Sequence, residues 1–309
     1  MTSERDRTTS TPEVSVVMSV YGNVEDLPVT VDSVLIQTLR DFELIIVDDG
    51  NDADGKAVIR DLAARDPRIR VIENDGNIGL TRSLIKGCAA ARGHFIARID
   101  NSDIMVPRYR LEEQRKLLNG RPDVGLVAGN GEYVDFLNRE RYRTNFEITS
   151  EDDAAQALSK SPCFHHPTVM FRKSLYDRVG GYDARYPTGQ DNELWERMLK
   201  EAKAIVLKDT LAVMVMKKTS ISVMKNRIQI FRKMRRIIRE ERPGKGVKGF
   251  VASVRRIALE IPKFFIPIRY RLQLRHKRWG YYLGSIDDAY LRSPEALYDF
   301  YKKNGYLRS

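Results

Sequence analysis

The chain has 309 residues, enough to bury a full hydrophobic core as one large domain or as a domain with an appendage. Its 42% hydrophobic and 31% charged residues exclude global disorder, and its two cysteines, Cys88 and Cys163, exclude a disulfide framework or a thiolate zinc cluster. The net charge of +11 is unevenly spread: residues 217–278 hold 20 Lys and Arg against three acids, a net +17 that leaves −6 for the remainder. An acidic body carrying a basic arm is therefore expected.

The polar start, "MTSERDRTTSTPE", lacks the apolar stretch of a secretory signal, so a disordered lead-in is expected over residues 1–12 of a cytoplasmic protein. No run reaches the roughly 18 apolar residues of a membrane-spanning helix. "VSVVMSVY" (14–21) and "FELIIVDDG" (42–50) are nearly continuous β-branched apolar runs, the pattern of strands covered on both faces. Between them Leu27, Val31, Val34 and Leu35 recur at helical spacing. A helix near 54–65, a strand over 69–73, a helix over 79–91 and a strand over 94–99 continue the alternation. Strand–helix alternation of this kind predicts an α/β domain with a parallel sheet and right-handed crossovers. Ligands of such sheets bind beyond the carboxyl ends of the strands.

The polar clusters fall at those ends. Tyr21 follows the first strand, Asp48 and Asp49 close the second, and Asp100 and Asp103 close the fourth. Asp beside Gly or Ser often only caps a helix or makes a turn. Two pairs converging on one sheet edge favour a site instead. Crowded carboxylates repel unless a cation joins them, and oxygen ligands suit Mg²⁺ or Mn²⁺. His165 and His166 are the only adjacent histidines, read equally well as loop residues before Pro167 or as ligands. No GxxxxGK[ST] loop and no GxGxxG follow the first strand, so phosphate is left to a metal and basic side chains.

"SVVMSVYGN", "DFELIIVDDGN", "NDGNIGLTRSLIKGCAAARGHFIARIDNSD", "HHPTVMFRKSLYDRVGGYD" and "TGQDNELWERML" together resemble the family 2 glycosyltransferases, inverting enzymes of the GT-A fold found in bacterial polysaccharide assembly. The resemblance runs over about residues 14–215. It implies a Rossmann-like, mostly parallel sheet flanked by helices, and a nucleotide site of Ser19, Tyr21, Asp48 and Asp49 completed by Asn77, Gly79 and Arg82. The family's metal and donor motif falls on Asp100, Asn101, Ser102 and Asp103, with Ser102 where a third carboxylate is usual. Its Glu-Asp pair falls on Gln190 and Asp191, which makes Asp191 the implied base beside a neutral amide. His166 is implied on the acceptor side with Gln190. The implied reaction is metal-dependent transfer of a hexosyl or N-acetylhexosaminyl group from a nucleotide sugar, UDP-sugar first, to a glycan or lipid-linked glycan. Leu194 and Trp195 read as core, and Gly180, Gly181 and Tyr182 as a turn.

Residues 217–309 are expected to form a separate basic extension after a GT-A domain over 13–216. Met224, Ile228, Phe231, Met234 and Ile238 share one helical face, as do Val247, Phe250, Val254, Ile257 and Ile261, with cations opposite. Such helices fit an anionic membrane surface, and the resemblance, to a family that often extends lipid-linked glycans at the inner leaflet, implies the inner face of the cell membrane. Packing against the catalytic domain or a second subunit is the plainer alternative, and no motif points to nucleic acid. Two other functions compete with the transferase: a nucleotidyltransferase on a similar core, and a catalytically impaired nucleotide-binding scaffold that tolerates Ser102 and Gln190.

Overall fold

The computed structural model describes residues 11–136, 138–146, 148, 154, 155, 158, 164–217 and 280–307. They fall into two compact units, one of Met1–Glu132, Arg143–Met214 and Asp287–Ser309, the other of Tyr133–Tyr142 and Val215–Ile286.

The first unit is built on parallel strands β1 (Val14–Val20), β2 (Phe42–Asp48), β3 (Ile69–Glu73) and β4 (Phe95–Arg98). Helices α1 (Leu27–Leu35), α2 (Ala53–Arg65) and α3 (Leu80–Ala90) link them in turn. Successive strand residues face opposite ways. Val16, Met18, Leu44 and Ile46 therefore join one core with Leu27, Val31, Val34 and Ile59, while Val17, Ile45 and Val47 join a second with Leu84 and Cys88. This two-sided burial is why β1 and β2 read as continuous apolar runs. α3 lies flat on the sheet because Gly87 has no side chain: a Cβ there would stand 2.6 Å from Val17 Cγ1.

Beyond β4 come β5 (Ile104–Met105), α4 (Arg110–Gly120), β6 (Val124–Asp135), β7 (Glu140–Thr144), β8 (Met170–Arg172), α5 (Lys173–Arg178), α6 (Gln190–Met198) and β9 (Lys203–Met216). The order in the first unit is β6-β8-β4-β1-β2-β3, with β8 antiparallel to β4 and β6, and β9 pairing with β6 and β5. The register sets Val20 beside Asp48, Asp48 beside Glu73 and Val17 beside Arg98, so the four parallel strands stop at one edge. The second strand ends two residues before the expected Gly50, which lies in the left-handed region at φ +83°. Leu194 and Trp195 are buried, as expected of core.

In the second unit β10 (Gly280–Ser285) pairs with β7, and the Tyr142 and Tyr282 rings lie 5.6 Å apart. The basic amphipathic segments expected to meet a membrane lie outside the described residues, as does the lead-in over 1–10. The contacts divide the C-terminal stretch at a different point from residue 217, because helix α7 (Pro294–Lys303) belongs to the first unit. Its Tyr301 hydroxyl donates to Glu132 Oε1, and Tyr306 donates to Glu132 Oε2 at 3.1 Å. Glu132 and Tyr301 are both fully buried. A hydrogen bond to a charged group contributes about 1.5–3 kcal/mol. The C-terminal segment is thereby hydrogen-bonded to both carboxylate oxygens of Glu132 on β6.

Candidate functional site

The carboxyl edge is laced together by amide side chains and short loops. Asp48, buried at the end of β2, accepts the Asn51 N–H at 2.9 Å and its Nδ2 at 2.7 Å through Oδ1. Asn51 in turn donates to Val20 O and accepts the Gly22 N–H at 2.7 Å, which ties the end of β1 to that of β2. Asp49 is also buried and receives three donors, Asn74 Nδ2 at 3.1 Å and the N–H groups of Ile78 and Gly79 at 2.9 and 3.0 Å. Its carboxylate therefore shapes the 74–79 loop. Gly50 completes the join, since a Cβ there would sit 2.4 Å from Gly76 C. Ser19 is half-buried on β1, and Tyr21 stands 61% exposed beyond it. Asn77 is exposed on the same loop. Arg82, exposed on the first turn of α3, makes no hydrogen bond or ion pair with the other expected site residues among the described residues.

The turn after β4 carries the second carboxylate pair. Asn101 Nδ2 donates to Gly22 O and Asn23 O, both at 3.1 Å, and so pins this turn to the end of β1. Ser102 lies at φ +77°, a conformation costly for a residue with a side chain and common where strain serves a site. Asp100 Oδ1 pairs with Arg98 Nη2 at 2.6 Å, and Asp103 is 8% exposed. Arg110, fully buried, donates to Arg98 O and Leu211 O, both at 3.0 Å. Burial, then the Arg98 charge, pulls Arg110 down to about 9, and Asp103 works against both. Each carboxylate of the pair thus has a buried arginine as neighbour.

Carboxylate oxygens are the hard donors that Mg²⁺ or Mn²⁺ accept, so Asp100 and Asp103 fit such an ion chemically. No group of three His, Cys, Asp or Glu able to hold a metal occurs among the described residues. An ion here would take further ligands from substrate phosphates and water.

The third component is the segment leading into α6. Gly189 at φ +74° turns the chain into the helix, which places Gln190, buried, and Asp191, half-buried, in its first turn. Thr81 Oγ1 of α3 donates to Tyr186 O at 2.7 Å and holds this approach against the first turn of α3. His166 is buried, 2.7 Å from Tyr182 Oη through Nε2 and 3.2 Å from Arg98 Nε. It senses the charges of Asp100 and Asp191, which brings the two carboxylate groups into one electrostatic neighbourhood. Among the described residues Asp48 Oδ2, Asn192 Oδ1 and Trp195 Nε1 are buried without a partner, as are Thr30 Oγ1, Arg115 Nε and Thr210 Oγ1 away from this edge. Sequence reasoning passed over Arg98, Asn51, Asn74 and the bracing role of Asn101; the strand-end position of Arg98 in an otherwise apolar run was its one available signal.

A family model described as Glycosyl transferase family 2 matches residues 15–180, and the chain belongs to that family. It is 31% identical over 195 residues to the putative glycosyltransferase EpsE of Bacillus subtilis (strain 168), covering 62% of this chain and 68% of that one. It is 32% identical over 200 residues to the O-antigen biosynthesis glycosyltransferase WbnJ of Escherichia coli, covering 62% and 74%. An uncharacterized glycosyltransferase of Methanocaldococcus jannaschii is 30% identical over 197 residues, a match spanning 61% of this chain and just under two thirds, 65%, of the relative. Among solved structures, a mannosyltransferase from Pyrobaculum calidifontis in complex with GDP-Man and Mn²⁺ superposes with a TM-score of 0.57 at 18% identity, over 86% of this chain and 73% of that one. S. aureus TarS in complex with UDP-GlcNAc does so at 0.54 and 17%, over 73% and 66%. The α/β core thus has the GT-A arrangement.

Burial, and then the Arg98 cation, pull His166 down to about 4 from its ordinary 6.5, against Asp100 and Asp191. Between those values the unfolded chain takes up a proton here that the folded protein refuses. Stability is then full above pH 6.5 and declines as pH falls toward 4. Chemical denaturation across this window is expected to lose up to about 3 kcal/mol from this group, and His166→Gln to flatten the decline. Parallel losses in both proteins would show that His166 is not held neutral.

Proposed function

We propose that the chain is an inverting glycosyltransferase that moves a hexosyl or N-acetylhexosaminyl group from a nucleoside diphosphate sugar, UDP-sugar first among donors, to a hydroxyl of a glycan or lipid-linked glycan in polysaccharide assembly. One observation carries this reading: the Asp48–Asp49 strand end, the Asp100–Asp103 turn and the Asp191 helix start are bonded or electrostatically coupled around a single sheet edge. The names of EpsE and WbnJ, and the donors in the titles of the two structural neighbours, support the class of reaction and of donor.

In this reading Tyr21 offers its exposed ring to the base, and the loop held by Asp49 walls the nucleoside. Asp100 and Asp103 face the diphosphate. A divalent ion held there would supply positive charge against the leaving group. Asp191 accepts the proton of the acceptor hydroxyl while that oxygen bonds to the anomeric carbon. The bond from that carbon to the donor phosphate oxygen breaks as the new one forms, its electron pair departs with the nucleoside diphosphate, and the centre inverts. His166 and Gln190, both buried, shape the wall on the acceptor side.

Residues 217–278 are assigned the membrane contact, apolar faces down and cations toward anionic headgroups, at the inner face of the cell membrane. Flotation should recover the protein with anionic vesicles and leave it behind with neutral ones; absence from both removes this assignment.

The purified full chain, given UDP-, GDP- and dTDP-sugars with Mn²⁺ and a lipid-linked glycan acceptor, should release a nucleoside diphosphate. Asp191→Asn should lower turnover by about 10²–10⁴-fold with nucleotide affinity retained. Release of pyrophosphate, or full turnover by the variant, contradicts the reading.

A further inference from the structure

Arg98 is the least expected residue of this edge. It ends a strand whose other residues, Phe95, Ile96 and Ala97, are apolar, and its side chain is completely buried. Burying a cation is costly and core stability alone favours an apolar side chain there, so a retained charge calls for a specific use. The guanidinium has three directions of contact. Nη2 donates to Asp100 Oδ1 at 2.6 Å, Nε donates to His166 Nε2 at 3.2 Å, and Nη1 donates to Val17 O on the neighbouring strand.

The second of these contacts fixes a tautomer. An arginine nitrogen only donates, so His166 Nε2 presents its lone pair and the neutral ring carries its proton on Nδ1. The Tyr182 hydroxyl, 2.7 Å from the same Nε2, then shares that single lone pair with Arg98 in a three-centre bond and is its nearer donor. Tyr182 is itself anchored, its N–H donating to Tyr176 Oη at 3.2 Å. Its neighbour Gly181 offers its carbonyl to Arg197 Nη2 at 2.6 Å, and Arg197 sits on α6, the helix whose first turn holds Asp191. Hydrogen bonds therefore run from Asp100 through Arg98 and His166 to Tyr182, and the backbone link from Tyr182 to Gly181, whose carbonyl Arg197 holds, carries the connection on to the helix that bears Asp191. Asp100 uses one oxygen for this path and its side chain stays 37% exposed, which leaves the second oxygen for another partner.

We propose that Arg98 is a positioning residue with two duties: it orients the Asp100 carboxylate toward the donor diphosphate, and it sets the distance between that carboxylate and the helix bearing Asp191. The proposal rests on the glycosyltransferase reading above. The two duties are separable. Arg98→Gln removes the charge that holds Asp100. Arg98→Lys keeps a cation near Asp100 and loses the Nε–H toward His166, and Tyr182→Phe cuts the path beyond His166 without touching the donor side.

The test uses the full chain, with thermal melting to establish folding, calorimetric titration of UDP or GDP with Mn²⁺, and steady-state rates on the nucleotide sugar the wild type accepts. Partners that orient a ligating side chain typically cost 10–100-fold when removed. Arg98→Gln is expected to weaken Mn²⁺-dependent nucleotide binding by about 10–100-fold. Arg98→Lys and Tyr182→Phe are expected to bind the nucleotide like the wild type and to lose about tenfold in kcat. A purely structural Arg98 would lower the melting temperature and leave both readouts intact in the molecules that fold. If Arg98→Gln does not fold, the other two decide: unchanged kcat in both, with wild-type binding and turnover present, overturns this proposal alone. A wild type that binds no nucleotide overturns the parent reading, and this one with it.

Discussion

Parallel strands joined by right-handed crossovers all begin at one edge of a sheet and all end at the other. In this chain the helices α1, α2 and α3 each return the backbone to the starting edge, so β1, β2, β3 and β4 deliver their last residues to the same place. Two of the three parts of the site follow from that constraint. Tyr21, Asp48 and Asp49 stand at the ends of two of these strands, and the Asp100–Asp103 turn leaves a third. Short amides, Asn51 and Asn101, then stitch the ends together over distances that the sheet has already made small.

Charge balance is the second theme of the edge. Carboxylates gathered in one place would repel, yet each of Asp100 and Asp103 has a fully buried arginine nearby, Arg98 by hydrogen bond and Arg110 by its field. Asp49 is stabilised differently, by two backbone N–H groups and an amide. His166, enclosed beside Arg98, adds no positive charge of its own. The folded protein can therefore keep its carboxylates together before any ligand arrives. A divalent ion bound there, as proposed, would meet two carboxylates whose charge is already partly answered.

How much of this was legible in the sequence depends on the range of the interaction. The four parallel strands were readable to within a residue or two, β1 and β2 because burial on both faces leaves an unbroken apolar run, and β3 and β4 from their place in the strand–helix alternation. Asp48, Asp49, Asp100 and Asp103 could be picked out by their place at strand ends, and Asp191 through the resemblance. Arg98 was not, because its value lies in His166, 68 residues away, and nothing in a linear run announces such a partner. The same holds for Glu132 and Tyr301, 169 residues apart, whose bond draws the C-terminal helix into the first unit and moves the apparent boundary of the domain. His166 looked like one of two loop histidines beside a proline. Its burial, and with it its neutral state, comes from Tyr182, Trp195 and Arg98, which the fold alone assembles.

The claim on which all else rests is that this sheet edge receives a nucleoside diphosphate with a divalent ion. Isothermal titration of the full chain with UDP, GDP and dTDP, each in Mn²⁺ and again in EDTA, addresses it without knowledge of the sugar or the acceptor. Saturable binding of one nucleotide is expected, lost or sharply weakened in EDTA and lost again in Asp103→Ala. A folded protein that binds none of the three, or that binds one equally well in EDTA and after Asp103→Ala, contradicts it.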